Sequence, residues 1–449
     1  MSLIIYAIPV FFLLIGIELL IAKMNNLSYY RMNDAIANLS CGIGSQISGI
    51  FLKTFTFIGY AWLYEHSLWR IDADSVMAHF PAATAQLSPS NLNALKITLS
   101  VTIFSVLFFG IDFFYYWFHR LAHEISFLWG SHVVHHQSEE YNLTVALRQA
   151  WLQGAFSWVF YLPLAVIGFS PATFITIASL QTLYQFWIHT KLIGKMHPAF
   201  EYIFNTPSHH RVHHGVNPKY IDRNHGGTLI IFDRWFGTFQ AEEEEVVYGI
   251  TKQPKSWNPI WVNFEYWIDL FREAFQVHRV KDFFGMMLKM PGWKPAELGG
   301  TAEYKEVTTQ TFHKYDTEIS GGLTNYAFFQ FVVVLLGTTL FLVLSGKPPI
   351  HDSWFLKTSI AGLIIFSLLN IGGIFERKNW VPPLEYLRII ITGLAITALV
   401  RGSASFTAIA IVASVISVVS LLWFTRYRNE FSRRGAENIE KAGELETSI

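Results

Sequence analysis

Apolar runs crowd both ends of the chain and leave a polar, histidine-rich middle. A bilayer core of about 30 Å is crossed by roughly 20 apolar residues in a helix. Runs of that kind lie at 3–22, 41–63, 97–118, 325–344, 354–375, 387–400 and 406–424, the second with Lys53 inside it. The segments 151–167 and 171–188 are also apolar, and only Gly168, Phe169 and Ser170 join them, which predicts a tight helical hairpin. The pattern therefore predicts an all-α, polytopic membrane protein with about nine transmembrane helices. The first run lacks a basic flank and a small-residue cleavage site, so it reads as a retained anchor. From 189 to about 323 the chain turns polar.

Lysine and arginine in the short loops set the expected orientation. If the histidines face the cytoplasm, Lys23, Arg31, Arg377, Lys378, Arg388, Arg426, Arg428, Arg433 and Arg434 face it too, and Arg70, Lys96, Lys347 and Arg401 lie opposite. Within the polar region Phe264, Trp267, Ile268, Phe271 and Phe275 recur at helical spacing, followed by Phe283, Phe284, Met286, Met287 and Trp293 among lysines. Such a stripe fits either a helix lying on the membrane surface or one packed into a soluble core. The run Glu242 to Glu245 reads as a solvated face. These features divide the chain into anchor helices (1–93), a histidine-box catalytic domain (94–240), a cytoplasmic region with an interfacial amphipathic helix (241–323), C-terminal transmembrane helices (324–425) and a cytoplasmic tail (426–449).

Composition supports the membrane reading, with 52% hydrophobic and only 15% charged residues. A net charge of zero gives no nucleic-acid footprint, and the single cysteine, Cys41, excludes an intrachain disulfide framework or a cysteine-rich metal site.

The strongest chemical signal is histidine. Twelve of the 17 histidines fall between His119 and His225. They come as His119 and His123 in HRLAH, His132, His135 and His136 in HVVHH, then His189, His197, the group His209, His210, His213 and His214 in HHRVHH, and His225. Residues three and four apart share a helix face, so each cluster aims its imidazoles at one spot. Imidazole suits iron, zinc, copper and nickel, and eight or more rings exceed what one metal takes, so the pattern predicts two metals. Each cluster sits at the end of an apolar run, which places the metals at the membrane surface, within reach of a lipid. An all-nitrogen site with open positions at ferrous iron supports O2 chemistry at unactivated C–H bonds, whereas zinc lacks redox chemistry.

Three other side chains are candidates for catalytic support. Asp112 lies inside an apolar span, where an ionisable residue is a functional candidate by default. Seven residues, about 10 Å of helix, separate it from His119, so it would have to orient a ring from another cluster. Glu124 follows His123 directly and reads either as an acceptor for a ligand ring or as an exposed carboxylate. Arg148, in YNLTVALRQ, could grip a lipid headgroup or simply end a span.

HRLAHE, HVVHHQSEEYNLTVALRQ, YQFWIHT, NTPSHHRVHHG and GGTLIIFDRWFGTF together resemble the fatty acid hydroxylase superfamily of membrane di-iron enzymes, which includes sterol desaturases. SEEYNLTVALRQ and FWIHT are most similar to its ether-lipid branch, the alkylglycerol monooxygenases. The resemblance covers about 119–239 closely and implies two irons ligated by His119, His123, His132, His135, His136, His189, His210, His213 and His214, with O2 as oxidant. His209 fits the box by spacing as well as His210 does. The family pairs the ring near His189 with a histidine four residues earlier, where this chain has Gln185, and His225 stands in place of an aromatic residue. The implied reaction inserts oxygen at the carbon next to the ether oxygen of an alkylglycerol. The resulting hemiacetal collapses to a fatty aldehyde, with tetrahydrobiopterin or another electron donor, such as a partner protein, as reductant. The implied location is a plasma, inner or endoplasmic reticulum membrane. The same iron site acting on a sterol, carotenoid or fatty-acyl chain is the alternative. Metal transport is a distant one, because only Lys53 and Asp112 are ionisable at mid-span.

Overall fold

The computed structural model describes residues 3–301 and 306–431, so most of the charged tail lies outside the described residues. Those residues form no β-strand, only isolated bridges such as Phe204 with Leu229. In chain order the α-helices are α1 (Leu3–Met24), α2 (Met32–Glu65), α3 (Ala73–Ala78), α4 (Pro81–Thr84), α5 (Pro89–Glu124), α6 (Ser126–Trp129), α7 (Val133–His136), α8 (Gln153–Ile167) and α9 (Pro171–Trp187). They continue with α10 (Pro198–Ile203), α11 (Pro207–His213), α12 (Ile231–Phe236), α13 (Pro259–Ala274), α14 (Val280–Leu288), α15 (Gly321–Leu344), α16 (Trp354–Phe375), α17 (Val381–Leu399) and α18 (Phe406–Thr425). The chain forms two compact units. The first runs up to Arg31 and includes Ser45–Gln253 and Asn263–Lys314, and the second holds Met32–Gly44, Pro254–Val262 and the chain from Tyr315 onward.

Among the described residues seven helices, α1, α2, α5 and α15 to α18, are long and apolar enough to cross a membrane. The difference from nine lies in the hairpin: α8 has 15 residues and α9 has 17. At 1.5 Å per residue these reach about 22–26 Å, short of a hydrocarbon core of about 30 Å. The turn is as tight as its sequence demands. Gly168 ends α8 at φ +110°, and a Cβ there would lie 2.3 Å from the Trp69 carbonyl oxygen, so only glycine fits. Ser170 then caps α9 by accepting from Thr173 N, with Pro171 in the first turn.

In the first unit α5 is the axis. Ser88 caps its start, Pro89 opens its first turn, and its 36 residues extend about 54 Å, well beyond an apolar crossing. The excess carries HRLAH out of the apolar stretch. Leu107 and Ile111 of α5 pack with Tyr60, Leu164, Phe169 and Ile177 in a buried apolar core. The mid-helix Gln181 side chain meets its hydrogen-bonding need by donating to the Phe108 carbonyl at 2.8 Å.

In the second unit α17 begins at Val381, six residues before the predicted start, and Arg388 belongs to that helix and not to a loop. Arg388 is 1% exposed, and its guanidinium takes both oxygens of Glu385 (2.8 and 2.6 Å) and Gln330 Oε1 (2.7 Å), while the Tyr326 hydroxyl donates to Glu385 at 2.5 Å. Neutralised within one turn and hydrogen-bonded throughout, the pair is tolerated inside an apolar bundle where a lone arginine would not be.

Candidate metal centre

Four local structures deliver the rings. His119 and His123 lie one turn apart on the last turns of α5. His132 caps α7, which carries His135 and His136. His189 lies two residues past α9. On α11, opened by Pro207, His210 and His213 precede the capping His214. All nine side chains are buried, and they sort into two groups: His119, His123, His132, His136 and His213 in one, His135, His189, His210 and His214 in the other. Within each group the ligand-capable atoms lie within 4.8 Å of one another. The groups adjoin, since the His136 and His214 rings stack at 4.4 Å.

Proton placement is determined by the acceptors. His119 Nδ1 faces the His225 carbonyl at 2.7 Å, His135 Nδ1 that of Arg148 at 2.8 Å, His189 Nδ1 that of Gln185 at 2.7 Å and His213 Nδ1 that of Arg223 at 2.9 Å. A carbonyl can only accept, so each of these rings holds its proton on Nδ1 and keeps a lone pair on Nε2. Yet His135 and His189 bring their Nε2 atoms to 3.2 Å, and His119 Nε2 lies 2.9 Å from His132 Nε2. In the His135–His189 pair both Nδ1 protons are fixed, so two buried lone pairs face each other with no proton between them and repel, and a shared cation removes the conflict. His123, His213 and His214 add buried Nε2 atoms with no hydrogen-bond partner. The residues thus fit metal ions, one per group, on their own geometry.

Burial, reinforced by the charge of Arg148, pushes His135 down to about 4. Burial, reinforced by neighbouring rings, pushes His132 down to about 3 and holds His136, His189, His210, His213 and His214 well below the ordinary imidazole range. At neutral pH these rings are uncharged, which is the form that binds metal.

The other predicted site residues lie close by but outside the two groups. The His209 ring points to Phe239 (5.4 Å). His225 packs 5.1 Å from His123, with a buried, unpartnered Nδ1. The Gln185 carbonyl accepts from His189 Nδ1 at 2.7 Å. Asp112 does not meet an imidazole: its two oxygens accept from Thr228 N (2.9 Å) and Leu229 N (2.7 Å). Gly227 permits that approach, since a Cβ there would lie 2.9 Å from Asp112 Oδ1. Asp233 holds the same loop from its other side, accepting from His225 N and Gly226 N at 2.7 Å each. Glu124 pairs with Arg120 at 2.8 Å, one turn back on α5 and away from the rings. Arg148 points inward, donating to the Val134 carbonyl (2.6 Å) and to Gln137 (2.8 Å), so its guanidinium braces the α7 turn and is not open to a headgroup.

Two neighbours escaped the sequence reading. Asp222 Oδ1 lies 3.3 Å from His123 Nδ1, and burial together with the charge of Glu124 pushes its carboxyl up to about 7. Gln153 Oε1 lies 3.2 Å from His132 Nδ1. Neither belongs to a histidine-spaced motif, so spacing could not have found them.

The fatty acid hydroxylase family profile matches residues 104–238. An alkylglycerol monooxygenase of Xenopus tropicalis is 33% identical over 384 residues, spanning 85% of this chain and 79% of its own length. The Homo sapiens alkylglycerol monooxygenase is 36% identical over 372 residues, 80% of this chain and 74% of that protein. The ornithine lipid hydroxylase OlsE of Rhizobium tropici is 30% identical over 129 residues, 28% of this chain and 39% of that protein. No solved structure matches the chain.

Proposed function

Because the chain belongs to the alkylglycerol monooxygenase family, we propose that it is an integral membrane lipid monooxygenase that cleaves the ether bond of alkylglycerols at a pair of irons. The observation that carries the metal reading is the convergence of buried Nε2 atoms at 2.9–3.2 Å, with those of His135 and His189 facing each other lone pair to lone pair. One iron would be held by His119, His123, His132, His136 and His213, the other by His135, His189, His210 and His214. When bound, the irons supply O2 activation and attack on an unactivated C–H bond. The chain's own groups fix the rings. Backbone carbonyls lock the Nδ1 protons of His119, His135, His189 and His213, and burial keeps the rings neutral and excludes water. One oxygen atom enters the carbon beside the ether oxygen and the other leaves as water, with two electrons and two protons from a reductant, tetrahydrobiopterin or another donor. The hemiacetal then expels the glycerol hydroxyl and leaves a fatty aldehyde. The site faces the cytoplasm in this reading, following the lysine and arginine bias.

Lipid would reach the site past α13 and α14. Val280, Phe284 and Leu288 form an i, i+4, i+8 stripe, 74%, 55% and 62% exposed, beside exposed Arg279, Lys281 and Lys289. Apolar and basic residues paired in this way suit a helix seated in an anionic interface. The opposite face of α14 buries Met286 and Met287, and α13 sends Trp267 to the Phe127 carbonyl (2.9 Å). Lys289 O in turn accepts from Ser126 N at 2.9 Å, on the short turn whose Trp129 lies 4.7 Å from the His123 ring. The expected result for a Phe284→Asp, Leu288→Asp chain is an apparent KM for bilayer-embedded alkylglycerol raised about tenfold, equivalent to ~1.4 kcal/mol, with metal content unchanged. An unchanged KM in lipid nanodiscs would count against this entry route.

Metal analysis of protein purified anaerobically under reducing conditions tests the centre, with two irons per chain expected, one for each histidine group. Aldehyde release from alkylglycerol tests the reaction. A hydroxylated lipid with its skeleton intact would point instead to chemistry of the ornithine lipid hydroxylase kind. Activity restored by zinc alone would overturn the oxygenase reading.

A further inference from the structure

The first helix carries a carboxylate that neither the histidine boxes nor the anchor role of α1 explains. Glu18 lies within the membrane span Tyr6–Met24, five residues before Lys23 at its end, and is 1% exposed. Its Oε1 accepts from the Thr190 hydroxyl at 2.5 Å, and its Oε2 accepts from Leu143 N at 2.8 Å and from the Tyr30 hydroxyl. Two of those donors, Thr190 and Leu143, come from two of the three stretches that supply the four-histidine group. Thr190 directly follows His189. Leu143 lies between His135 and Arg148, whose carbonyl holds His135 Nδ1. One carboxylate therefore ties together the segments bearing His135 and His189, the pair whose Nε2 atoms lie 3.2 Å apart. Apolar packing holds α1 in register around it: Phe11 stacks on Phe186 of α9 at 4.2 Å, and Ile15 packs with Leu143. A mere anchor would carry an apolar residue here, because an ionisable group in a membrane span opposes insertion.

We infer that Glu18 is a positioning residue of the four-histidine group, acting through Thr190 and Leu143 to set the spacing of His189 and His135, so that α1 is part of the metal centre. The inference rests on the metal reading above. Glu18→Gln keeps the volume but replaces one of the two acceptor oxygens by NH2, so either Thr190 or the Leu143 N–H and Tyr30 lose their acceptor, and Thr190→Val removes one donor while leaving α1 untouched.

The test is 57Fe Mössbauer spectroscopy and iron titration on full-length protein in nanodiscs, loaded anaerobically, with His189→Ala and His123→Ala as references for the two groups. Glu18→Gln and Thr190→Val are each expected to weaken one iron by about tenfold or more, as loss of an outer-shell partner does. They should also shift the quadrupole doublet that His189→Ala removes while sparing the one lost in His123→Ala. If Glu18→Gln fails to insert, Thr190→Val decides. Wild-type doublets and affinities, or equal weakening of both irons, overturn the positioning role while leaving the iron centre standing. A wild-type chain that binds no iron overturns both.

Discussion

Replacing His210 by alanine is expected to reduce lipid oxidation at least about 100-fold and to release the iron of the four-histidine group, whereas the same change at His209 leaves metal and most turnover in place. Both positions fit the HHRVHH box by spacing, but adjacent helix residues point about 100° apart. His210 directs Nε2 to within 3.0 Å of His189 Nε2, while the His209 ring turns to Phe239. Removing His210 would leave three of the four rings that would hold that iron. Iron content and aldehyde release measured side by side on the two variants check this, and metal loss at His209 would mean the box is read one residue out of register.

The second large effect is expected at Asp112, through a loop. Asp112→Asn would turn an amide toward one of the two backbone N–H groups that the carboxylate now accepts. Leaving a buried donor unsatisfied costs about 1–3 kcal/mol. The strained segment includes His225, whose carbonyl fixes the His119 ring. A lower Tm, weaker iron binding and activity reduced roughly 10- to 100-fold should follow together, the size of a lost outer-shell partner. If Asp112 were only a buried charge burdening a span, Asn would raise the Tm, so thermal unfolding and iron titration of this one variant separate the accounts.

Helical spacing grouped His119 with His123 and His132 with His135 and His136, because i, i+3 and i+4 place side chains on one face whatever surrounds the helix, but it left His209 and His210 equivalent and gave His189 no partner, so the set of nine came from the family resemblance. It was not enough for their supports. Asp112 meets residues 116 and 117 positions away, and Asp222 meets His123 across 99, separations that no local pattern encodes. At position 185 a motif records the side chain, whereas the contact made there is the backbone carbonyl that accepts from His189 Nδ1. Among the described residues seven helices meet the length of a crossing, against nine apolar runs in the sequence, because length is not written in hydropathy: 151–167 and 171–188 form helices of 15 and 17 residues. Arg388 misled the loop assignment because its partner, Glu385, lies one turn back in the same helix.

That four rings are oriented by main-chain oxygens has a bearing on how the protein can vary. The acceptors belong to Arg148, Gln185, Arg223 and His225, and every amino acid supplies the same carbonyl. Side chains at 185, 223 and 225 are therefore open to exchange without unfastening the rings, provided the backbone path is kept. Mutational drift or laboratory redesign can reshape the walls around the two histidine groups, and with them the choice of lipid, while the frame that orients the rings is inherited intact.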